Sequence, residues 1–196
     1  MSPRLLQYQP VLILMLVMGA IQLAGPELYR YQTVLIHQHQ WWRFFSGHWV
    51  HANWTHYALN MVGFALCVAL TEPGWKITQW SWRILLLSSG ISLAFWWLQP
   101  QIGWYVGFSG VLFGLYVLCA INSWPKQRMM SSLLLTVVGL KIILDSWSSV
   151  KITSTELIGI PVLVEAHLYG VISALVIVLI QTTIKHLTLN EQTGNS

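Results

Sequence analysis

Long apolar segments alternate along the chain with short segments that contain polar residues and proline. The apolar segments are typical of membrane-spanning helices, which need about 20 mostly apolar residues each. Prolines fall between them, where a helix can end without leaving unpaired backbone groups in lipid. The pattern therefore predicts an all-α fold, a polytopic helix bundle forming a single membrane domain over residues 1–196. Six transmembrane helices are expected, at residues 10–24, 54–70, 84–98, 109–124, 129–147 and 166–184.

The segment 25–50, between the first two predicted helices, mixes many aromatic residues with polar ones. Trp and Tyr concentrate where lipid meets water. We therefore expect an interfacial loop that lies in the outer surface of the membrane instead of projecting into water.

The composition supports a lipid environment. Only 8% of the residues are charged and 55% are apolar, whereas about 25% of residues in soluble domains are charged. The net charge of +4 includes no run of Lys or Arg, so no nucleic-acid partner is expected. Cys67 and Cys119 lie inside apolar segments, and we do not expect a disulfide.

The basic residues lie mostly at the ends of the apolar segments and predict the orientation of the chain. Cytoplasmic loops of membrane proteins carry an excess of Lys and Arg. With the N-terminus inside, six basic residues lie on cytoplasmic ends and three on outer loops, which predicts that both termini are cytoplasmic. The six are Arg4, Lys76, Arg83, Lys126, Arg128 and Lys185, and the three are Arg30, Arg43 and Lys151.

A serine flanked by glycines opens the fourth predicted helix, in Gly107-Phe108-Ser109-Gly110. The 15 steps from Ser109 to Trp124 at the cytoplasmic edge span about 22 Å of helix, less than the hydrocarbon thickness of about 30 Å. Ser109 is thus expected below the outer boundary of the hydrocarbon layer. A helix that begins at this depth needs protein or water around its N-terminus, which predicts a cavity open to water, as hydrolysis would require. Taken alone, a Ser–Gly pair in an apolar helix is more often a packing feature.

His167 falls at a matching depth in the sixth segment. Small residues four apart let two helices approach closely in lipid, and packing the two faces would bring His167 to Ser109 as a base for its hydroxyl. Each of the two helices carries such a pair, Gly110 with Gly114 and Gly170 with Ala174.

His56 and Asn60 are four residues apart at the start of the second predicted helix and share one face. Their side chains can donate hydrogen bonds to a developing oxyanion. Structural hydrogen bonds between helices are an equally good explanation of this pair taken by itself.

Three motifs follow one another in order: His51-x4-His56-x3-Asn60, Gly107-x-Ser109-Gly110 and Ala166-His167-x2-Gly170. Together with Trp42-Arg43 in the first loop, they resemble the rhomboid family of intramembrane serine proteases. The resemblance runs from about Trp41 to Ala174. It implies a rhomboid-like fold and hydrolysis of a peptide bond in or near a substrate's transmembrane segment, without cofactor or metal.

The resemblance also implies roles for single residues. Ser109 would be the nucleophile and His167 its base, while His56, Asn60 and the Ser109 backbone N–H would form the oxyanion hole. The supporting residues would be His51, Gly107, Gly110, Phe113 and Gly170, with Gly107 shaping the substrate-facing loop, His51 supporting the first loop and Phe113 packing on the catalytic histidine. Ala174 departs from the family pattern, in which many members have glycine.

The chain further resembles the bacterial rhombosortase branch. The features that carry this resemblance are its short length and the segments Gly139-Leu140-Lys141 and Ala166-His167-Leu168-Tyr169-Gly170. That branch implies location in the bacterial inner membrane, with the site open to the periplasm. Its substrates are single-span proteins with a C-terminal Gly-Gly motif and basic residues.

Two carboxylates lie in or beside the last two predicted helices. Lys141 and Asp145 are four apart in the fifth segment and can pair on one helix face. The pair has two interpretations. One is a site for an ion or a proton, and the other, which is better supported, is an ion pair that neutralises its own charges. Glu165 points away from His167 if that stretch is helical, so a Ser–His dyad is expected.

Two other functions remain open. Five histidines lie within 20 residues, as in a metal-binding protein, although no carboxylate or cysteine lies between Glu27 and Cys67 to support them. A catalytically inactive rhomboid-like scaffold is the second alternative, although such relatives usually lack the serine or the histidine. The five histidines are His37, His39, His48, His51 and His56.

Overall fold

A computed structural model describes residues 8–147, 159 and 163–194 of the chain. All six predicted segments are helical. Arg4 and Lys151, on which the predicted orientation partly depends, lie outside the described residues. The six helices are α1 (Gln9–Leu23), α5 (Trp54–Thr71), α6 (Ile77–Leu98), α7 (Ser109–Ser123), α8 (Arg128–Trp147) and α9 (Glu165–Gly194).

The prediction of six membrane spans is confirmed only in part. Within the described residues, α5, α6, α8 and α9 are long and apolar enough to cross a membrane. The other two, α1 and α7, are apolar but have 15 residues each. At 1.5 Å per residue, each reaches about 22 Å, several ångströms less than the hydrocarbon thickness.

Two helix boundaries differ from the prediction. Helix α6 begins at Ile77 instead of residue 84, because the Gln79 side chain accepts from the Lys76 backbone N–H at 2.9 Å and Trp80 is completely buried. Arg83 covers this end of the helix by stacking over Trp75, with its guanidinium 4.1 Å from the ring centroid. Helix α9 continues beyond residue 184 to Gly194, and residues 185–188 of this extension are exposed.

The loop 25–50 is more structured than its sequence indicates. It holds the short helices α2 (Pro26–Tyr29), α3 (Thr33–His37) and α4 (Arg43–Ser46) and the strand β1 (Tyr31–Gln32). Strand β1 pairs antiparallel with β2 (Trp104–Tyr105), the segment that precedes α7. The all-α prediction missed this pairing, because two-residue strands are too short to show an alternating pattern.

Arg43 anchors this loop through backbone carbonyl groups. Its side chain is buried, and Nη1 donates to the carbonyl oxygens of Glu27 at 3.0 Å and of Arg30 at 2.9 Å. Burial, followed by the neighbouring Arg30, lowers the pKa of Arg43. The sequence places Arg43 among the basic residues of the outer loops and does not predict this buried, anchoring role.

Helix α7 is the centre of the bundle and packs against α5, α6, α8 and α9. Most of its residues are buried, whereas the outer helices expose rows of large apolar side chains, as expected of surfaces that face lipid. Cys67 and Cys119 are both buried and free.

Candidate active site

Ser109 and His167 meet where the N-terminal ends of α7 and α9 come together. Ser109 is the first residue of α7, and His167 lies in the first turn of α9. The Ser109 Oγ and His167 Nε2 atoms are 3.1 Å apart. His167 is only 4% exposed, whereas Ser109 is partly exposed. The hydroxyl is therefore accessible while the imidazole is held inside the protein.

Small residues allow this approach of the two helices. A methyl group added at Gly110 would lie 2.8 Å from the carbonyl oxygen of Ala166, and one at Gly114 would lie 2.7 Å from that of Gly170. A methyl group at Gly170 would collide with the carbonyl oxygen of Gly110. The backbones of α7 and α9 are thus in direct contact beside Ser109 and His167, as the small-residue spacing predicts.

Phe113 and Asp145 fix the His167 ring. The Phe113 ring stacks on the imidazole with centroids 4.3 Å apart and planes 8° apart. The imidazole Nδ1 lies 3.1 Å from Asp145 Oδ2. Since both ring nitrogens have partners in Ser109 and Asp145, His167 has no remaining nitrogen for Glu165.

The contact of Asp145 with His167 is not among the sequence predictions. Asp145 was paired only with Lys141, and the structure does contain that ion pair, through the other carboxylate oxygen. The available signal was that the one aspartate of the chain lies inside an apolar helix, where ionisable residues usually mark functional positions.

His56 and Asn60 both lie on the buried face of α5, and the His56 ring lies beside the loop that leads into Ser109. The Asn60 amide donates one hydrogen to the His56 carbonyl oxygen at 3.0 Å and carries a second. The Asn53 side chain caps α5 by accepting from the His56 backbone N–H at 2.9 Å. His56 and His167 are close enough to interact electrostatically.

Two observations show why the loop before Ser109 needs glycine at Gly107. Its φ of +129° lies in a region that L side chains rarely adopt, and a methyl group there would lie 2.8 Å from His56 Cε1. The Gly107 N–H donates to the carbonyl oxygen of Gly47 at 3.1 Å. Only glycine gives the loop this bend and leaves space for the His56 ring.

Tyr105 is a second residue that sequence analysis missed. Its hydroxyl donates to the Gly107 carbonyl oxygen at 2.8 Å and also lies within reach of the Ser109 side chain and the Gly110 backbone. Burial raises the pKa of Tyr105 well above its ordinary value. The hydroxyl therefore stays protonated and serves as a hydrogen-bond donor beside the serine. No sequence motif pointed to it, because its placement depends on the β1–β2 pairing.

His51 and His48 support the site from the first loop. The His51 ring meets the His56 ring edge-on at 5.0 Å, and the backbone of His51 is held by the Gln22 side chain. His48 Nε2 lies 2.9 Å from Ser92 Oγ. Burial lowers the pKa of each of these two histidines to about 3, so both are neutral at pH 7.

The five clustered histidines do not converge on one point. His37 packs on Trp96 and His39 on Trp41, away from the pair formed by His51 and His56. Across residues 8–147, 159 and 163–194, no group of three or more His, Cys, Asp or Glu side chains is placed to hold a metal ion.

The family model of the Rhomboid domain matches residues 38–183, which include His51, Gly170 and every site residue between them. The chain belongs to the rhomboid family. Rhomboid proteins are generally serine intramembrane proteases, which agrees with the apolar helices and the lipid environment that they require. No curated protein matches the chain closely. In this rhomboid domain Ala174 is completely buried, so the packing of α9 accommodates the methyl group at the position where it departs from the family pattern.

Proposed function

We propose that this rhomboid protein is an intramembrane serine endopeptidase with Ser109 as nucleophile and His167 as general base. The observation that supports this most directly is the 3.1 Å separation of Ser109 Oγ and His167 Nε2. A serine hydroxyl is a weak nucleophile until a base within hydrogen-bond distance accepts its proton. No metal or cofactor takes part in the proposed reaction.

The reaction proceeds in two halves. Ser109 Oγ attacks the scissile carbonyl carbon while its proton passes to His167 Nε2, and the resulting imidazolium then protonates the leaving amine, which breaks the C–N bond. Water next attacks the acyl-enzyme ester, with His167 accepting its proton and returning one to Ser109 Oγ. The products are a carboxylate and an amine, and the enzyme is regenerated.

The oxyanion is stabilised by three groups in this proposal. The Ser109 backbone N–H lies at the first position of α7, where helix N–H groups have no partner within the helix and the helix dipole favours negative charge. The other two groups are the His56 imidazole, which lies beside Gly107, and the Asn60 amide, one turn further along the same buried face of α5. Each donor of this kind contributes about 10²–10³ in rate.

The proposed substrate is a single-span membrane protein cleaved in or near its transmembrane segment. The resemblance to the rhombosortase branch narrows this to proteins that end in a Gly-Gly-type motif, a single span and basic residues. We place the protein in a bacterial inner membrane with both termini cytoplasmic and the site open to the periplasm. The distribution of Lys and Arg supports this orientation.

A serine-directed fluorophosphonate probe tests the proposal on the purified full-length protein in lipid nanodiscs. We expect label on Ser109 in the wild type and none in Ser109→Ala or His167→Ala. Ser89→Ala is the matched control, because Ser89 is only partly buried on α6 and its hydroxyl donates to the Leu85 carbonyl oxygen. An inactive scaffold would give no label in any variant, and cleavage retained by Ser109→Ala would refute the assigned nucleophile.

The substrate class is tested separately. Single-span substrates that differ only in the C-terminal Gly-Gly motif are incubated with the wild type and with Ser109→Ala. Cleavage that depends on both the motif and Ser109 supports the narrower proposal. Equal cleavage of both substrates would leave a rhomboid protease without that specificity.

A further inference from the structure

Asp145 contacts two different donors through its two carboxylate oxygens. Oδ2 lies 3.1 Å from His167 Nδ1, and Oδ1 accepts from the Lys141 ammonium. The Asp145 side chain is only 12% exposed, whereas that of Lys141 is 43% exposed. The carboxylate is thus held between the imidazole on α9 and the ammonium on its own helix α8.

We propose that Asp145 is a positioning residue that keeps the His167 proton on Nδ1 and so leaves the Nε2 lone pair facing Ser109. This role rests on the proposed function. An ionised carboxylate can only accept hydrogen bonds, so it selects the ring tautomer that donates from Nδ1. The Phe113 ring stacks on the imidazole and favours a ring plane in which Nε2 faces the serine.

Lys141 makes this arrangement possible inside an apolar helix. A lone carboxylate surrounded by hydrocarbon is costly, and a paired ammonium removes the net charge. When His167 accepts the proton of Ser109 it becomes an imidazolium in direct contact with the Asp145 carboxylate. The new positive charge therefore forms beside a fixed negative one, which stabilises the transition state.

Asp145→Asn gives an unusual prediction because Lys141 also orients the new amide. The ammonium only donates, so the amide oxygen would remain on Lys141 and the NH₂ group would face His167 Nδ1. That NH₂ group donates to Nδ1 and moves the ring proton to Nε2, where it blocks acceptance of the Ser109 proton. The isosteric variant should therefore be slower than Asp145→Ala, which leaves the tautomer free.

Kinetics on the full-length protein in nanodiscs test this role. We expect Asp145→Asn to lower kcat about 10²–10⁴-fold while KM changes less than about threefold. Asp145→Glu should retain more activity than either Asp145→Asn or Asp145→Ala. The double change Lys141→Met with Asp145→Asn should recover about tenfold over Asp145→Asn alone, since the amide can then turn its oxygen toward Nδ1. Ser146→Ala, which alters an exposed neighbour on α8, is the matched control and should have wild-type rates.

Nitrogen-15 NMR of the His167 side chain gives a second readout that does not depend on turnover. We expect the Nδ1–H tautomer in the wild type and a shift to Nε2–H in Asp145→Asn. Wild-type rates in Asp145→Asn, or an Nε2–H tautomer in the wild type, would overturn the role of Asp145 while the protease function stands. Absence of both cleavage and Ser109 label in the wild type would refute the proposed function, and this role with it.

Discussion

The contact between α7 and α9 beside the Ser109–His167 pair is the most sensitive part of the proposed site, and Gly110→Ala tests it. The added methyl group would lie 2.8 Å from the Ala166 carbonyl oxygen, whereas ordinary contact begins at 3.4 Å. The backbones must therefore separate by the difference, about 0.6 Å. Because Gly110 follows Ser109 and Ala166 precedes His167, we expect the same shift between Oγ and Nε2. Their separation would grow from 3.1 Å to about 3.7 Å, beyond hydrogen-bond distance.

A misplacement of about 1 Å costs about 100-fold in rate, so a shift of about 0.6 Å should cost roughly 10- to 30-fold. Overpacking of this kind also destabilises by about 1–3 kcal/mol, which lowers Tm by several degrees. The assay is the rate of fluorophosphonate labelling of Ser109 together with thermal unfolding in the same nanodiscs.

Gly139→Ala on α8 is the matched control for this glycine. A methyl group there meets nothing within 4 Å, and alanine favours the helix over glycine by about 1 kcal/mol. We expect an unchanged labelling rate and an equal or higher Tm. If Gly110→Ala labels at the wild-type rate with an unchanged Tm, the idea that direct backbone contact sets the Ser109–His167 distance is wrong.

Two further predictions concern the loops around the site. Gly107→Ala should lower the labelling rate at least tenfold and reduce Tm. A side chain at φ of +129° costs about 1–3 kcal/mol, and the added methyl group displaces His56. Labelling at the wild-type rate would contradict the structure of this loop. The second prediction is loss of stability in acid, caused by the burial that holds the pKa of His48 and of His51 at about 3, below the ordinary 6.5. The unfolded chain binds more protons below pH 6.5, so the stability contributed by these two neutral histidines is complete above pH 6.5 and is lost as the pH falls toward 3. The free energy of unfolding, measured with denaturant, should be lower at pH 5.0 than at pH 7.5 by about 2 kcal/mol for each histidine. Equal denaturation midpoints at the two pH values would contradict the burial of these histidines in the neutral form.

The sequence predicts the parts of this fold that depend on local patterns. Apolar runs bounded by proline place all six long helices, because in lipid every backbone group must be paired within its own segment. The small residues of α7 and α9 predict their contact, since close approach requires backbones without bulky side chains between them. From these two patterns alone, Ser109 and His167 are expected to meet.

Features that depend on contacts between distant segments could not be predicted in this way. The β1–β2 pairing joins Tyr31 to Tyr105 through two residues on each side, too few for any periodic signal. The early start of α6 depends on Trp80, which is completely buried although its neighbours in sequence are polar. In both cases tertiary packing decides a structure that local hydropathy leaves undetermined.

Asp145 shows most clearly where sequence reasoning ends in this protein. Helix periodicity reveals its neighbour Lys141, four residues earlier on the same helix, and a self-neutralised pair is then the simplest explanation of both charges. This explanation is incomplete. An ion pair accounts for the absence of net charge in the membrane, but it does not explain why two charged residues are present there, since two apolar residues would be more stable. The contact with His167, which is 22 residues away, gives the carboxylate a task that no apolar residue could perform. An ion pair inside an apolar helix therefore indicates a further contact with another segment of the chain, even when its two charges neutralise each other.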